Sequence, residues 1–131
     1  MSQAKFIITK QFNSYNISNL IKNLKKQKKD ISRYCFHKKN SKSIQIMIVN
    51  RTKHSYKILE KSKGLTAVFI LSGKMKIKIK RKNKKDKIKI LGPMTFFTFN
   101  KNLVFENEIT SKDCSMIEFC SKRPKIIKRF F

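Results

Sequence analysis

The stretch GKMKIKIKRKNKKDKIKILGP, from Gly73 to Pro93, constrains the fold more than any other part of the chain. Met75, Ile77 and Ile79 alternate with Lys74, Lys76, Lys78 and Lys80, which is the period of an extended strand with one apolar and one charged face. A polar turn from Arg81 to Asp86 follows, and Ile88 and Ile90 then resume the alternation between Lys87 and Lys89. The two runs pair as a hairpin. Its expected arrangement puts Met75, Ile77, Ile79, Ile88 and Ile90 together on an inward face with the lysines in water, since a one-residue slip would bury lysines at a cost of several kcal/mol each. An apolar hairpin face needs a second layer to cover it, so the hairpin implies a larger β assembly.

The rest of the chain supplies the material. From Ser43 onward, short β-rich runs alternate with polar turns, and strands are expected at about 44–49, 55–60, 66–71, 74–80, 87–91, 95–99, 103–109 and 114–120. Eight short strands with three glycines and no repeat favour a closed or sandwiched antiparallel architecture, because an open sheet leaves edges to aggregate. Before them, NISNLIKNLKKQKKD sets Ile17, Leu20, Ile21 and Leu24 at helical spacing, with Asn16 or Ser14 as N-cap. The organisation expected over the 131 residues is a single domain: a helix at about 16–29, a barrel at about 43–120 and a basic C-terminal tail at 121–131. That tail, SKRPKIIKRFF, reads either as a final edge segment or as an arm on a partner.

A net charge of +26 points by itself to nucleic acid or an anionic surface. Lysine greatly outnumbers arginine, however, and Lys, Ile, Asn and Phe are abundant together, as codons built from A and T produce in any protein. Dedicated nucleic-acid binders favour Arg for its planar fork. Cys35, Cys114 and Cys120 are an odd set without zinc spacing and read as reduced thiols in the cytoplasm, with Cys114 and Cys120 of CSMIEFC as small fillers on one side of a strand. No apolar run reaches the roughly 20 residues that cross a bilayer as a helix. P-loop, nucleotide-binding glycine and nucleophile-elbow motifs are absent.

The order of a helix, RYCFH, SIQIMIV, a strand ending in VFILSGKMKI, LGP and FFTFNKNLVFE resembles the small cupin proteins of the WbuC type. The likeness covers about residues 15–122, with His37, Gln45 and the VFILSG strand as anchors. It implies a mainly β, cupin-like jelly-roll barrel of short antiparallel strands with one N-terminal amphipathic helix. It also implies a place among surface-polysaccharide (O-antigen, lipopolysaccharide) biosynthesis proteins. Laying the first cupin motif with Gly73 as its last glycine puts Thr66 at the carboxylate position, with Glu60 and Ser62, or Leu59 and Lys61, at the two histidine positions. His54 falls near the motif's first glycine, and the second motif places Phe105 at its histidine. The resemblance therefore comes without the usual imidazole and carboxylate ligands, and neither a metal nor another cofactor is expected.

What remains is a barrel mouth that can take a small molecule. Its candidate contacts are His37, Gln45, Glu60, Ser62, Thr66 and Phe105. No catalytic constellation is visible, so binding of a sugar or an accessory role is expected ahead of catalysis. A homodimer is the association the resemblance implies. The alternative is a nucleic-acid-binding barrel in which Lys76, Lys78, Lys87 and Lys89 track phosphates. Phe96, Phe97, Phe99 and Phe105 sit in strand patterns that fill a barrel, which leaves that lysine face without stacking aromatics, so nucleic-acid binding is expected to be nonspecific and confined to low salt.

Overall fold

A computed structural model describes residues 5–6, 12–37, 42–55 and 57–130 of the chain. Tyr56 and Phe131, at one expected strand and at the end of the expected tail, lie outside the described residues. The helix α1 spans Ile17–Lys26, and the strands in chain order are β1 Lys5–Phe6, β2 Ile31–Cys35, β3 Gln45–Thr52, β4 Lys57–Lys61, β5 Thr66–Ser72, β6 Met75–Ile79, β7 Lys87–Leu91, β8 Phe96–Phe99, β9 Val104–Ile109, β10 Asp113–Cys120 and β11 Lys125–Phe130.

These strands form two sheets, one ordered β1-β2-β3-β10-β5-β8 and the other β11-β4-β9-β6-β7. Apart from the short parallel pair β1 and β2, neighbours run antiparallel. The inner faces alternate as strands require: Met47, Val49, Val68, Ile70 and Met116 from one sheet meet Met75, Ile77, Phe105 and Ile109 from the other. Cys35 and Cys114 pack into the same cluster, and all three cysteines are free and buried.

Helix α1 covers the far side of β2 and β3. Asn16 caps it by accepting from the Asn19 N–H at 3.0 Å, and Leu24 is its buried residue, with Ile17, Leu20 and Ile21 half-buried. Beneath it lies a cross-strand polar row, Ser32, Asn50 and Ser115, in which the Ser115 hydroxyl donates to Asn50 Oδ1 at 2.7 Å. Lys25 pairs with Asp113 at 3.3 Å and ties the helix to β10.

The expected hairpin is present, but its second strand faces the other way. Lys76 pairs with Ile90 and Lys78 with Ile88, so both isoleucines share the outer face with lysines and are 67% and 53% exposed. The inward partners of Ile77 and Ile79 are Lys89 and Lys87. The reason is the position of β7 at the sheet edge, where residues 81–90 are all exposed. Register is enforced by burial, and with no layer over β7 its inward lysines keep their water. The segment expected as a tail forms β11, pairing with β4, which selects the edge-segment reading.

Candidate ligand cavity

A cavity of about 470 Å³ opens between the two sheets. Its walls follow from the strand registers. On the larger sheet, Arg33 of β2 lies opposite Val49, Arg51 of β3 opposite Cys114, and Glu118 of β10 opposite both Met47 and Val68. On the smaller sheet, Glu60 of β4 pairs with Phe105 of β9, and Asn107 of β9 pairs with both Ile58 and Ile77. Phe99 stacks on Phe105 with ring centroids 4.1 Å apart, and Phe97 meets Phe99 edge-on, which makes an aromatic wall.

Inside this mostly apolar space runs a polar chain. Arg51 donates from Nη1 to Asn107 Oδ1, and Asn107 donates from Nδ2 to Glu60 Oε2 at 2.9 Å. The chain crosses from β3 to β9 and β4, so it joins the two sheets through the barrel interior. Burial lowers the Arg51 pKa from its ordinary value, against the pull of Glu118 and Glu60. Burial also raises Glu60 to about 7, helped by repulsion from Glu118 and opposed by Arg51 and the Asn107 hydrogen bond. The thiols of Cys114 and Cys120 are pushed by burial to about 11 and about 12, and Cys35 is raised for the same reason. They stay protonated at neutral pH, as fillers rather than nucleophiles.

Three of the residues expected at the barrel mouth line this cavity: Glu60, Thr66 and Phe105. Gln45, Ser62 and His37 lie outside its lining. Ser62, just past the end of β4, is buried and donates to the Gly64 carbonyl at 2.6 Å. His37 Nδ1 lies 3.1 Å from both N and O of Ile46 and so fastens the chain after β2 to the start of β3. Gln45, half-buried, opens β3 opposite Cys120. His54 is exposed.

The sequence reading missed Arg33, Arg51, Asn107, Glu118, Arg123 and Arg129, all of which line the cavity. A compositional signal for the four arginines existed. The chain has 33 lysines and arginines, of which five are arginine, and four of those five are here.

Comparison with solved structures places the architecture. The chain superposes on a cupin superfamily protein of Desulfitobacterium hafniense with a TM-score of 0.59 at 14% identity, covering 71% of this chain and 78% of that one. The fold is that of the cupins. A cupin domain of Schizosaccharomyces pombe matches with a TM-score of 0.60 at 12% identity, over 72% of this chain and 63% of the other. The DMSP lyase DddQ of Ruegeria pomeroyi matches with a TM-score of 0.61 at 13% identity, over 75% of this chain and 52% of the lyase. No family model matches the sequence, and no curated protein matches it.

The donors lining this cupin barrel do not fit a transition metal. Among the described residues no histidine lines the cavity, the aromatic ring of Phe105 occupies one expected ligand position, and the Arg51 guanidinium forms one end of the polar chain. Among the described residues no group of three or more His, Cys, Asp or Glu is placed to hold a metal ion. Among them, too, no helix is long and apolar enough to cross a membrane.

Proposed function

We propose that this protein is a metal-independent cupin that binds a small polar molecule inside its barrel, as a sugar-binding or accessory protein of the WbuC type in surface-polysaccharide metabolism. The observation that carries the binding reading is the Arg51–Asn107–Glu60 chain within the 470 Å³ cavity. Buried ionisable groups in a space that apolar side chains could fill are poor stabilisers, and a concave, mainly apolar site with a few convergent polar groups is the usual form of a small-molecule pocket. The cavity volume lies in the range such pockets occupy, roughly 300–1,000 Å³. The sugar and the pathway are supported by the RYCFH, SIQIMIV and VFILSGKMKI stretches at their WbuC-like places.

The test is binding of a panel of monosaccharides, uronic acids and sugar phosphates by calorimetry, before and after dialysis against EDTA. Saturable binding unaffected by EDTA and lost in Val68→Phe, which fills the cavity from β5, is the expected result. Binding that disappears with EDTA and returns with a divalent metal overturns the metal-independent reading, and binding untouched by Val68→Phe moves the ligand elsewhere.

A further inference from the structure

We propose that the ligand of this cavity is an anion, a small organic molecule bearing a carboxylate or phosphate group that the arginine forks grip. This rests on the cavity being the binding site, and it adds the chemical class of the occupant.

Arginine is rare in this chain and lysine abundant, yet among the described residues no lysine lines the cavity while Arg33, Arg51, Arg123 and Arg129 do. A pressure that fills the surface with lysine has left arginine where a planar, bidentate donor faces an enclosed space. Lysine is a point charge and cannot replace that geometry. The four come from β2, β3, the β10–β11 connection and β11, so only the fold brings them together. Arg51 is buried, Arg33 and Arg129 are half-buried and Arg123 is exposed, which grades the positive groups from interior to opening.

The backbone of β11 shows the same preference. Its pairing with β4 shifts between Ile126 and Lys128, with Ile126 opposite Glu60, Lys128 opposite Leu59 and Arg129 opposite Ile58. Ile58 and Glu60 face the cavity. A regular strand would carry Lys128 opposite Ile58. The extra residue, Ile127, turns Lys128 outward and aims Arg129 inward, which is the re-aiming that bulges perform beside functional sites. Against the four guanidinium groups the lining supplies two carboxylates, Glu60 and Glu118, so a surplus of positive charge remains even with both ionised. An anionic occupant removes that surplus in a space where charge is weakly screened.

The experiment compares wild type with Arg33→Gln/Arg129→Gln, with Arg33→Lys/Arg129→Lys and with Lys76→Gln/Lys78→Gln, which removes the same charge from the outer face of β6. Galacturonate and inorganic pyrophosphate are the anionic probes and galactose the neutral one, titrated calorimetrically at 0.3 M NaCl, with circular dichroism to check each fold. We expect at least one anionic probe to bind wild type at least tenfold tighter than galactose. The Gln pair in the cavity should weaken it at least tenfold and the Lys pair several-fold, with the surface pair within twofold of wild type. Equal binding of galactose and galacturonate overturns the anion assignment while leaving a cavity-binding cupin intact. An equal loss from the cavity and surface pairs reduces the effect to overall charge and also overturns it. Absence of saturable binding by any probe overturns both readings.

Discussion

Glu60→Gln should change how stability depends on pH, by an amount set by the environment of one carboxyl. Glu60 is largely withdrawn from water, beside Glu118, and its pKa rises from 4.5 to about 7, with burial the larger cause. The folded protein therefore holds this proton more tightly than the unfolded chain. The resulting stability is fully present below about 4.5 and is lost as pH rises through about 7. Between those two limits the difference in proton affinity corresponds to an upper figure of about 3 kcal/mol. Glutamine keeps an oxygen that can accept from Asn107 Nδ2 and cannot ionise, so Glu60→Gln should match wild type near pH 4.5 and exceed it by about 2–3 kcal/mol near pH 8. Urea denaturation at fixed ionic strength across that range measures the difference directly, and other titrating groups cancel when the two curves are subtracted. Parallel curves, or a variant that loses stability relative to wild type as pH rises, would refute the assignment. In the second case the ionised Glu60 would be a net stabilising partner of Arg51.

Asn107→Leu, at a buried position that bridges Arg51 and Glu60, should cost about 3 kcal/mol in urea denaturation, because both polar neighbours lose their shared partner. Gly73→Ala should cost at least about 2 kcal/mol by the same assay: the glycine has φ +83°, and an added Cβ would sit against the Asp113 carbonyl and the Cys114 backbone. Elemental analysis of protein purified without a histidine tag should find well under one equivalent of transition metal, and near one equivalent lost on Glu60→Ala would reopen a metal centre. Nucleic-acid binding should be insensitive to sequence and fade steeply towards about 0.15 M salt; a sequence preference that survives there would restore the nucleic-acid reading.

The strands were legible because most have one face on the core and one on water, and alternation records that difference. Strand β2 was not, since Ile31, Arg33 and Cys35 alternate with Ser32 and Tyr34: Arg33 points into the cavity and Ser32 is buried towards the helix side. With polar residues directed to both covered faces, no apolar period survives. Alternation also gave the period of β7 but not its sense, because which face is covered depends on the neighbouring strand, and β7 has none beyond it. The motif register placed Glu60, Thr66 and Phe105 at the cavity because each occupies an inward position on its strand. The arginines lie outside any local motif. They converge through pairings between segments distant in sequence, such as Arg33 and Arg51 on adjacent strands facing Arg129 on the other sheet.

Cupin architecture without imidazoles raises the question of what holds the polar interior in place. In a metal centre the ion satisfies the inward donors and draws the sheets together. Here a hydrogen-bonded chain from Arg51 through Asn107 to Glu60 spans the same interior with side chains alone. Such a chain is a poor route to stability, since a buried charged group recovers its desolvation only with excellent partners, and an apolar replacement of similar volume is often neutral or better. Its location argues for another role. The chain holds a buried guanidinium in the cavity wall, under the pull of Glu118 and Glu60, and three more arginines, each less buried, line the same cavity. Preorganised donors of this kind lower the ordering cost of binding, because their orientation is set before the ligand arrives. The stability given up in the barrel interior thus supplies a rigid, positively charged lining, and that lining selects for negative charge in whatever the barrel holds.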